Sequence, residues 1–207
     1  EFLLRRRQAA AEMAGDSELL AQALDIKVRA GHNYLWVHQT NWMGEPCLQL
    51  PTDMMALSEI VFQSRPRFIV ESGVAWGGTT LFLASLLDLV DGCKVIGVDK
   101  FLPRDVRDRL CGVSRLAGTI ELIEGSSTDS VVVDSVRNII GDDEKVMVIL
   151  DSDHTHRHVL EELTNYAPLV GIGQYLVCCD TAIERQPPAR LRPRNWGRGN
   201  NPATALR

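Results

Sequence analysis

Two groups of residues in this chain have the types and spacing to do chemistry. The first lies in "FIVESGVAWGGTTLFLASLL", Phe68 to Leu87, where Glu71, Gly73, Gly77 and Gly78 separate a short apolar run from a long apolar helix pattern. Gly73 follows the run directly, where a tight turn favours positive φ. Gly77 and Gly78 open the next helix. A missing side chain there lets a ligand approach the backbone, and helix N-terminal amides favour a carboxylate or phosphate. Asp99 ends a second apolar run, "VIGVD", and a carboxylate at such a strand end is placed to accept from ribose hydroxyls. Together Glu71 and Asp99 suit a ligand with an amine at one end and a ribose at the other. S-adenosylmethionine has both, plus a carboxylate for the helix terminus. Ser126, after a third run, is placed to donate to the same ligand, although its plainer reading is a turn serine. The spacing E-x-G-x-x-x-G-G is not the dinucleotide fingerprint G-x-G-x-x-G: Ala75 stands where that motif has its second glycine. This argues against a nicotinamide oxidoreductase.

The second group is "VMVILDSDHTHRH", Val146 to His158, followed by "CCDT" with Asp180. Asp151 and Asp180 fall on neighbouring strand ends, and oxygen ligands so placed suit Mg²⁺. His154 is positioned to take a proton from a substrate hydroxyl near pH 7. His156 and His158 read as helix-start surface residues, His158 especially. Three histidines so close also raise a zinc site, against which stands the lack of a cysteine at ligand spacing.

Both groups need elements to hold them. Short apolar runs, "RFIVESG", "KVIGVDK", "TIELIEG", "KVMVILDSD" and "QYLVCCD", alternate with helical patterns over Gly78–Val90, Arg104–Cys111, Asp129–Ile140 and Arg157–Val170. Strands apolar on both faces and separated by helices predict an α/β fold with a parallel sheet. Right-handed crossovers then bring the strand C-terminal ends, and both residue groups, to one edge. Ahead of the sheet, Arg5–Arg29 reads as helix with a break near Gly15 and Asp16. Gly31–Pro51 reads as an irregular aromatic loop, and a helix capped by Thr52 runs to about Arg65. Residues 1–51 are expected to form a helical and aromatic cap or lid, with Tyr34–Trp42 as lid, and 52–207 the ligand-binding domain. The formal charge of −5 argues against nucleic acid as partner, and no apolar run is long enough to span a membrane. Five scattered cysteines without a C-x-x-C pair read as reduced thiols in a cytoplasmic protein.

The run from "NWMGEPCLQLP" through the glycine turn, then "LDSDHTHRHVLEELTNYAPLVGIGQYLVCCDT" and "RNWGRGNNPATAL", resembles the cephalosporin hydroxylase / rhamnosyl O-methyltransferase family, from about Trp36 onward. The resemblance implies a Rossmann-like class I methyltransferase fold with helices on both faces of the sheet. It implies S-adenosylmethionine held by Glu71, Gly73, Gly77 and Asp99, metal ligands Asp151 and Asp180, and His154 as general base. The implied activity is metal-assisted O-methylation of a small-molecule hydroxyl, on a natural product or sugar. One position departs from the family pattern. Where the family has "EDT", this chain reads "CCDT", so Cys179 replaces a carboxylate and puts the Mg²⁺ in doubt. The alternatives are a catalytically impaired S-adenosylmethionine-binding domain, or the oxidative chemistry that the word hydroxylase suggests. Class I sheets have seven strands, and only five runs are visible. The Pro-rich stretch from Thr181 lacks strand patterns, and "NNPATALR" reads as a helix start with Asn201 as cap. A five-stranded core with an open edge predicts an oligomer or a partner segment covering it, and the chain is expected to be a homo-oligomer or a domain of a larger biosynthetic protein.

Overall fold

A computed structural model describes residues 1–116, 118–142, 145–188 and 193–207. A short hairpin, β1 (Asn41–Trp42) and β2 (Glu45–Pro46), precedes the five expected strands: β3 (Phe68–Ser72), β4 (Lys94–Asp99), β5 (Ile120–Glu124), β6 (Val146–Leu150) and β7 (Leu176–Cys178). These five form one parallel sheet in the order β5-β4-β3-β6-β7. The chain runs outward from β3 to β5, then returns to β6 on the far side of β3. Sheets wound this way leave a crevice beyond the strand ends where the order reverses, and that is where they bind ligands.

Alternation along the strands separates two cores. Ile69 of β3 and Met147 and Ile149 of β6 pack with helices α3 (Pro51–Ser64), α4 (Gly78–Leu89) and α5 (Arg104–Cys111). Phe68, Val70, Val146, Val148 and Leu150 face the other way, onto α6 (Ser130–Ile140) and α7 (His156–Tyr166). Successive side chains point to opposite faces, so a strand buried on both sides must be apolar throughout. Glu71 and Ser72 are the buried polar exceptions in β3, and Glu71 belongs to the α4 face.

The N-terminal part differs in detail from the sequence reading. α1 (Phe2–Gly15) and α2 (Ser17–Tyr34) flank the predicted break. Asp16 caps α2 by accepting from the Leu19 amide at 2.9 Å. α2 continues through Gly31 to Tyr34, so the loop is shorter than expected. The rest of it holds a single 3-10 turn and the hairpin, whose Met43–Gly44 corner has positive φ at both residues, as a two-residue hairpin turn requires. Thr52 is not the cap of α3. Pro51 takes the first helical position with Leu50 as N-cap, because its fixed φ starts the helix earlier.

After β7 the chain makes a 3-10 turn, Thr181–Arg185, and ends in α8 (Pro202–Ala205). Asn201 and Thr204 form the capping box that begins α8, as the cap reading requires. The loop reading of the Pro-rich stretch holds at 186–188 and 193–196, and residues 189–192 lie outside the described ones. Among the described residues no helix is long and apolar enough to cross a membrane.

Candidate functional site

A cavity of about 1710 Å³ opens at the carboxyl edge of the sheet. Its floor is the turn after β3 and the ends of β4 and β6. Its roof is α2 on one side and the segment around Trp196 on the other. Gly73, Asp99, Ser126, Asp151, His154 and Asp180 all line it, so the sheet brings together both groups picked out in the sequence.

Two of the expected contacts are placed differently. Glu71 and Gly77 do not line the cavity. Glu71 lies beneath the turn, 1% exposed, and accepts a hydrogen bond from the Thr80 hydroxyl of α4 at 2.5 Å. Burial pushes its carboxyl up to about 8; the Thr80 bond opposes this and the Asp99 charge adds to it. The bare Cα of Gly77 makes room for the Leu110 side chain, and that of Gly78 for the backbone of Glu45 and Pro46. Protein, not ligand, fills those spaces. At Gly73, with φ +92°, a Cβ would collide with the Asp151 carbonyl, so the glycine lets the ends of β3 and β6 approach each other.

Asp99 organises the glycine turn. Its Oδ2 accepts from the Val74 and Ala75 amides, each at 2.9 Å, and its Oδ1 from the Phe101 amide at 3.0 Å. Ala75 is held with φ +49°, a region costly for a residue with a Cβ, and its bond to Asp99 offsets that cost. A carboxylate has about four lone-pair sites. Three are taken, which leaves one to face the cavity.

Across the cavity, Asp151, His154 and Asp180 present ligand atoms all within 4.8 Å of one another. His154 Nε2 is 3.1 Å from Asp180 Oδ2. The Asp180 backbone takes the left-handed region, φ +57°, which aspartate tolerates better than most residues, and its side chain stays partly exposed. The Trp196 and His154 rings pack edge to face, with centroids 4.9 Å apart and planes at 88°. Burial, then the charges of Asp180 and Glu71, hold the Asp151 carboxyl well above the usual carboxylate range. The Gln49 side chain works against this by donating to Asp151 Oδ2 at 2.6 Å. Two crowded carboxylates, one half-buried and one exposed, beside an imidazole form a donor set that fits a divalent cation, since the cation would relieve their repulsion. Cys179 packs against the α4-side core, and burial followed by the two aspartates pushes its thiol up, so it stays a neutral, poor ligand. Asp153 lies outside the group; its Oδ1 accepts from the Thr155 amide at 2.8 Å.

Sequence reasoning missed several residues here. Gln49 gave no signal in a stretch read as irregular. Trp196 was noticed only within the resemblance. His158 is not a surface residue: its Nε2 lies 3.0 Å from Ser127 Oγ and 3.1 Å from Ser152 Oγ, beside the fully buried Glu162. The i, i+4 spacing of His158 and Glu162 was the available clue. Their pairing raises the His158 pKa against its burial; burial pushes Glu162 up, but His158 and the two serines outweigh it and leave it lowered. His156 instead docks α8, with Nδ1 3.0 Å from Thr204 Oγ1.

The family model described as rhamnosyl O-methyltransferase/CmcI matches residues 34–207. The chain belongs to this family. The rhamnosyl O-methyltransferase of Mycobacterium leprae is 31% identical over 157 residues, covering 75% of this chain and 66% of the relative. That of Mycobacterium tuberculosis is 30% identical over the same length, covering 75% and 62%. The chain thus spans a little under two thirds of these relatives. A CmcI apo structure matches at TM-score 0.54 with 22% identity, covering 70% of this chain and 58% of that one. A CmcI structure described as Mg-SAM matches at 0.50 with 21% identity, covering 68% and 57%. The SAH-bound Podospora anserina methyltransferase PaMTH1 matches at 0.54 with 10% identity, covering 93% and 77%. These likenesses show that the family member has the class I methyltransferase fold.

Proposed function

We propose that the chain carries out S-adenosylmethionine-dependent O-methylation of a hydroxyl on a sugar or other natural product, with a divalent cation in the site. The observation that carries this is the meeting, in one cavity, of the Asp99-tied glycine turn with the Asp151, His154 and Asp180 group. The relatives named as rhamnosyl O-methyltransferases support the reaction class and a sugar-type acceptor. When bound, S-adenosylmethionine supplies an electrophilic methyl group, and a cation supplies charge that eases ionisation of a hydroxyl.

The chain's own residues then have these roles. Asp99 gives its remaining lone pair to a ribose hydroxyl, and Ser126 borders the same part of the cavity. Asp151 and Asp180 hold the cation. His154 is the general base: with Nε2–H donated to Asp180, its lone pair stands on Nδ1 to receive the acceptor's proton. The rigid sheet edge aligns the two halves, and such alignment supplies on the order of 7 kcal/mol in favourable cases. A second reading makes His154 a third cation ligand, favoured by Nε2 lying within the carboxylate group.

The deciding experiment is mass spectrometry of the purified protein for retained S-adenosylmethionine or S-adenosylhomocysteine, followed by calorimetry with S-adenosylhomocysteine and with Mg²⁺. Absence of binding by either would overturn the proposal. His154→Ala separates the two histidine roles: unchanged Mg²⁺ affinity assigns the base, weakened affinity assigns the ligand.

A further inference from the structure

Glu162 is the most deeply buried charged side chain near the cavity, and all its hydrogen bonds converge on one oxygen. Its Oε1 accepts from Ser127 Oγ at 2.5 Å and from Ser152 Oγ at 2.7 Å, with His158 Nε2 at 3.5 Å. Its Oε2 has no partner among the described residues. The two serines come from different halves of the site. Ser127 follows Ser126 in the loop after β5, and Ser152 follows Asp151 at the end of β6. β5 is the sheet edge two strands away from β3, whereas β6 lies on its other side. The knot therefore ties loops that the sheet itself leaves apart, at the place where the winding reverses.

We propose that Glu162 is a positioning residue. Through Ser127 it sets the loop carrying Ser126, and through Ser152 it sets Asp151, so one buried carboxylate fixes the spacing between the cofactor half and the cation half. This rests on the function proposed above. For a displacement in line with a carbon–sulfur bond that spacing governs the rate, and neither Glu162 nor the serines need touch the reacting atoms. A simple stabilising role explains the burial. It does not explain why the bonds go to the two residues adjoining the site residues.

The test uses S-adenosylhomocysteine and Mg²⁺ as separate calorimetric probes, with the melting temperature of each variant measured alongside. Ser127→Ala is expected to weaken S-adenosylhomocysteine and spare Mg²⁺. Ser152→Ala is expected to do the reverse. Each loss should be about tenfold, the scale of removing a residue that orients a ligand's holder. Glu162→Leu should weaken both probes. Glu162→Gln should restore both, because its carbonyl oxygen can replace Oε1, and Oε2 has no bond to lose. If Glu162→Leu does not fold, the two serine variants and Glu162→Gln still decide the matter. Unchanged affinities in both serine variants, or losses of both probes together that track the melting temperature, would overturn the positioning role. Failure of either probe to bind the unaltered protein would instead overturn the functional reading beneath it.

Discussion

Replacing Glu71 by glutamine is expected to make the protein more stable at alkaline pH and to leave its stability at pH 5 almost unchanged. Glu71 sits in the middle strand of the sheet, 1% exposed, and its carboxyl is pushed from 4.5 to about 8. The folded state therefore keeps this proton longer than the unfolded chain does. The contribution is complete below about pH 4.5 and is lost as the pH rises to about 8. Each tenfold change in proton affinity is worth about 1.4 kcal/mol, so the loss reaches roughly 3 kcal/mol at pH 7 and roughly 5 above pH 8. Glutamine carries no such charge and its carbonyl can still accept from Thr80. The Asp151 carboxyl titrates with the same sign, and because the Glu71 charge helps to raise it, the difference between the two proteins reports Glu71 together with its coupling to Asp151. The assay is thermal or urea unfolding of both proteins from pH 5 to pH 9. In a chain of this size, 1 kcal/mol moves the melting temperature by roughly 2–4 °C. Parallel curves, with no widening gap above neutrality, would show that the ionised carboxylate is solvated or paired and that the burial argument is wrong.

Further outcomes follow from the same geometry. Asp99→Ala removes three backbone anchors and the one remaining acceptor, and should weaken S-adenosylhomocysteine by about 1–3 kcal/mol in calorimetry; Asp99→Asn, with one acceptor oxygen left, should lose less. Cys179→Glu should tighten Mg²⁺ by adding a hard oxygen, yet lower the melting temperature in chelator, because a third carboxylate then crowds Asp151 and Asp180. Mg²⁺ binding should release protons and strengthen as pH rises, since the cation must displace the proton that Asp151 holds above its usual range; calorimetry in buffers of different ionisation enthalpy reads that release directly.

Much of this site was legible in the sequence because strand ends are legible. Runs such as "VMVIL", apolar throughout and alternating with helices, point to a parallel sheet, and the residue that follows each emerges at the ligand edge. That reasoning brings Asp99, Asp151 and Asp180 to one cavity. It did less well with the glycines. Their spacing announced a turn, but Gly73, Gly77 and Gly78 are glycines because Asp151, Leu110 and the hairpin press against them. Only the fold shows which neighbour fills the space. Glu71 misled for a related reason: a carboxylate two residues before a turn glycine reads as a ligand contact, yet the alternation of β3 sends it to the α4 face, under the floor.

Gln49, Ser127 and Glu162 were illegible for a different physical reason. Gln49 acts through Asp151, 102 positions away, and Ser127 and Glu162 meet across 35, although Glu162 also reaches Ser152 only ten positions off. No local period records such a pairing. The i, i+4 spacing of His158 and Glu162 fits a solvent-facing helix pair equally well, and only the loop returning from β5, through Ser127, shows that it turns inward. The groups that meet ligand sit at strand ends and follow from pattern, whereas those that hold them in place follow from the order in which the strands are laid. That order, β5-β4-β3-β6-β7, brings the loop after β5 back across the sheet onto α7. A carboxylate there, at the reversal of the winding, can reach both halves of the site at once.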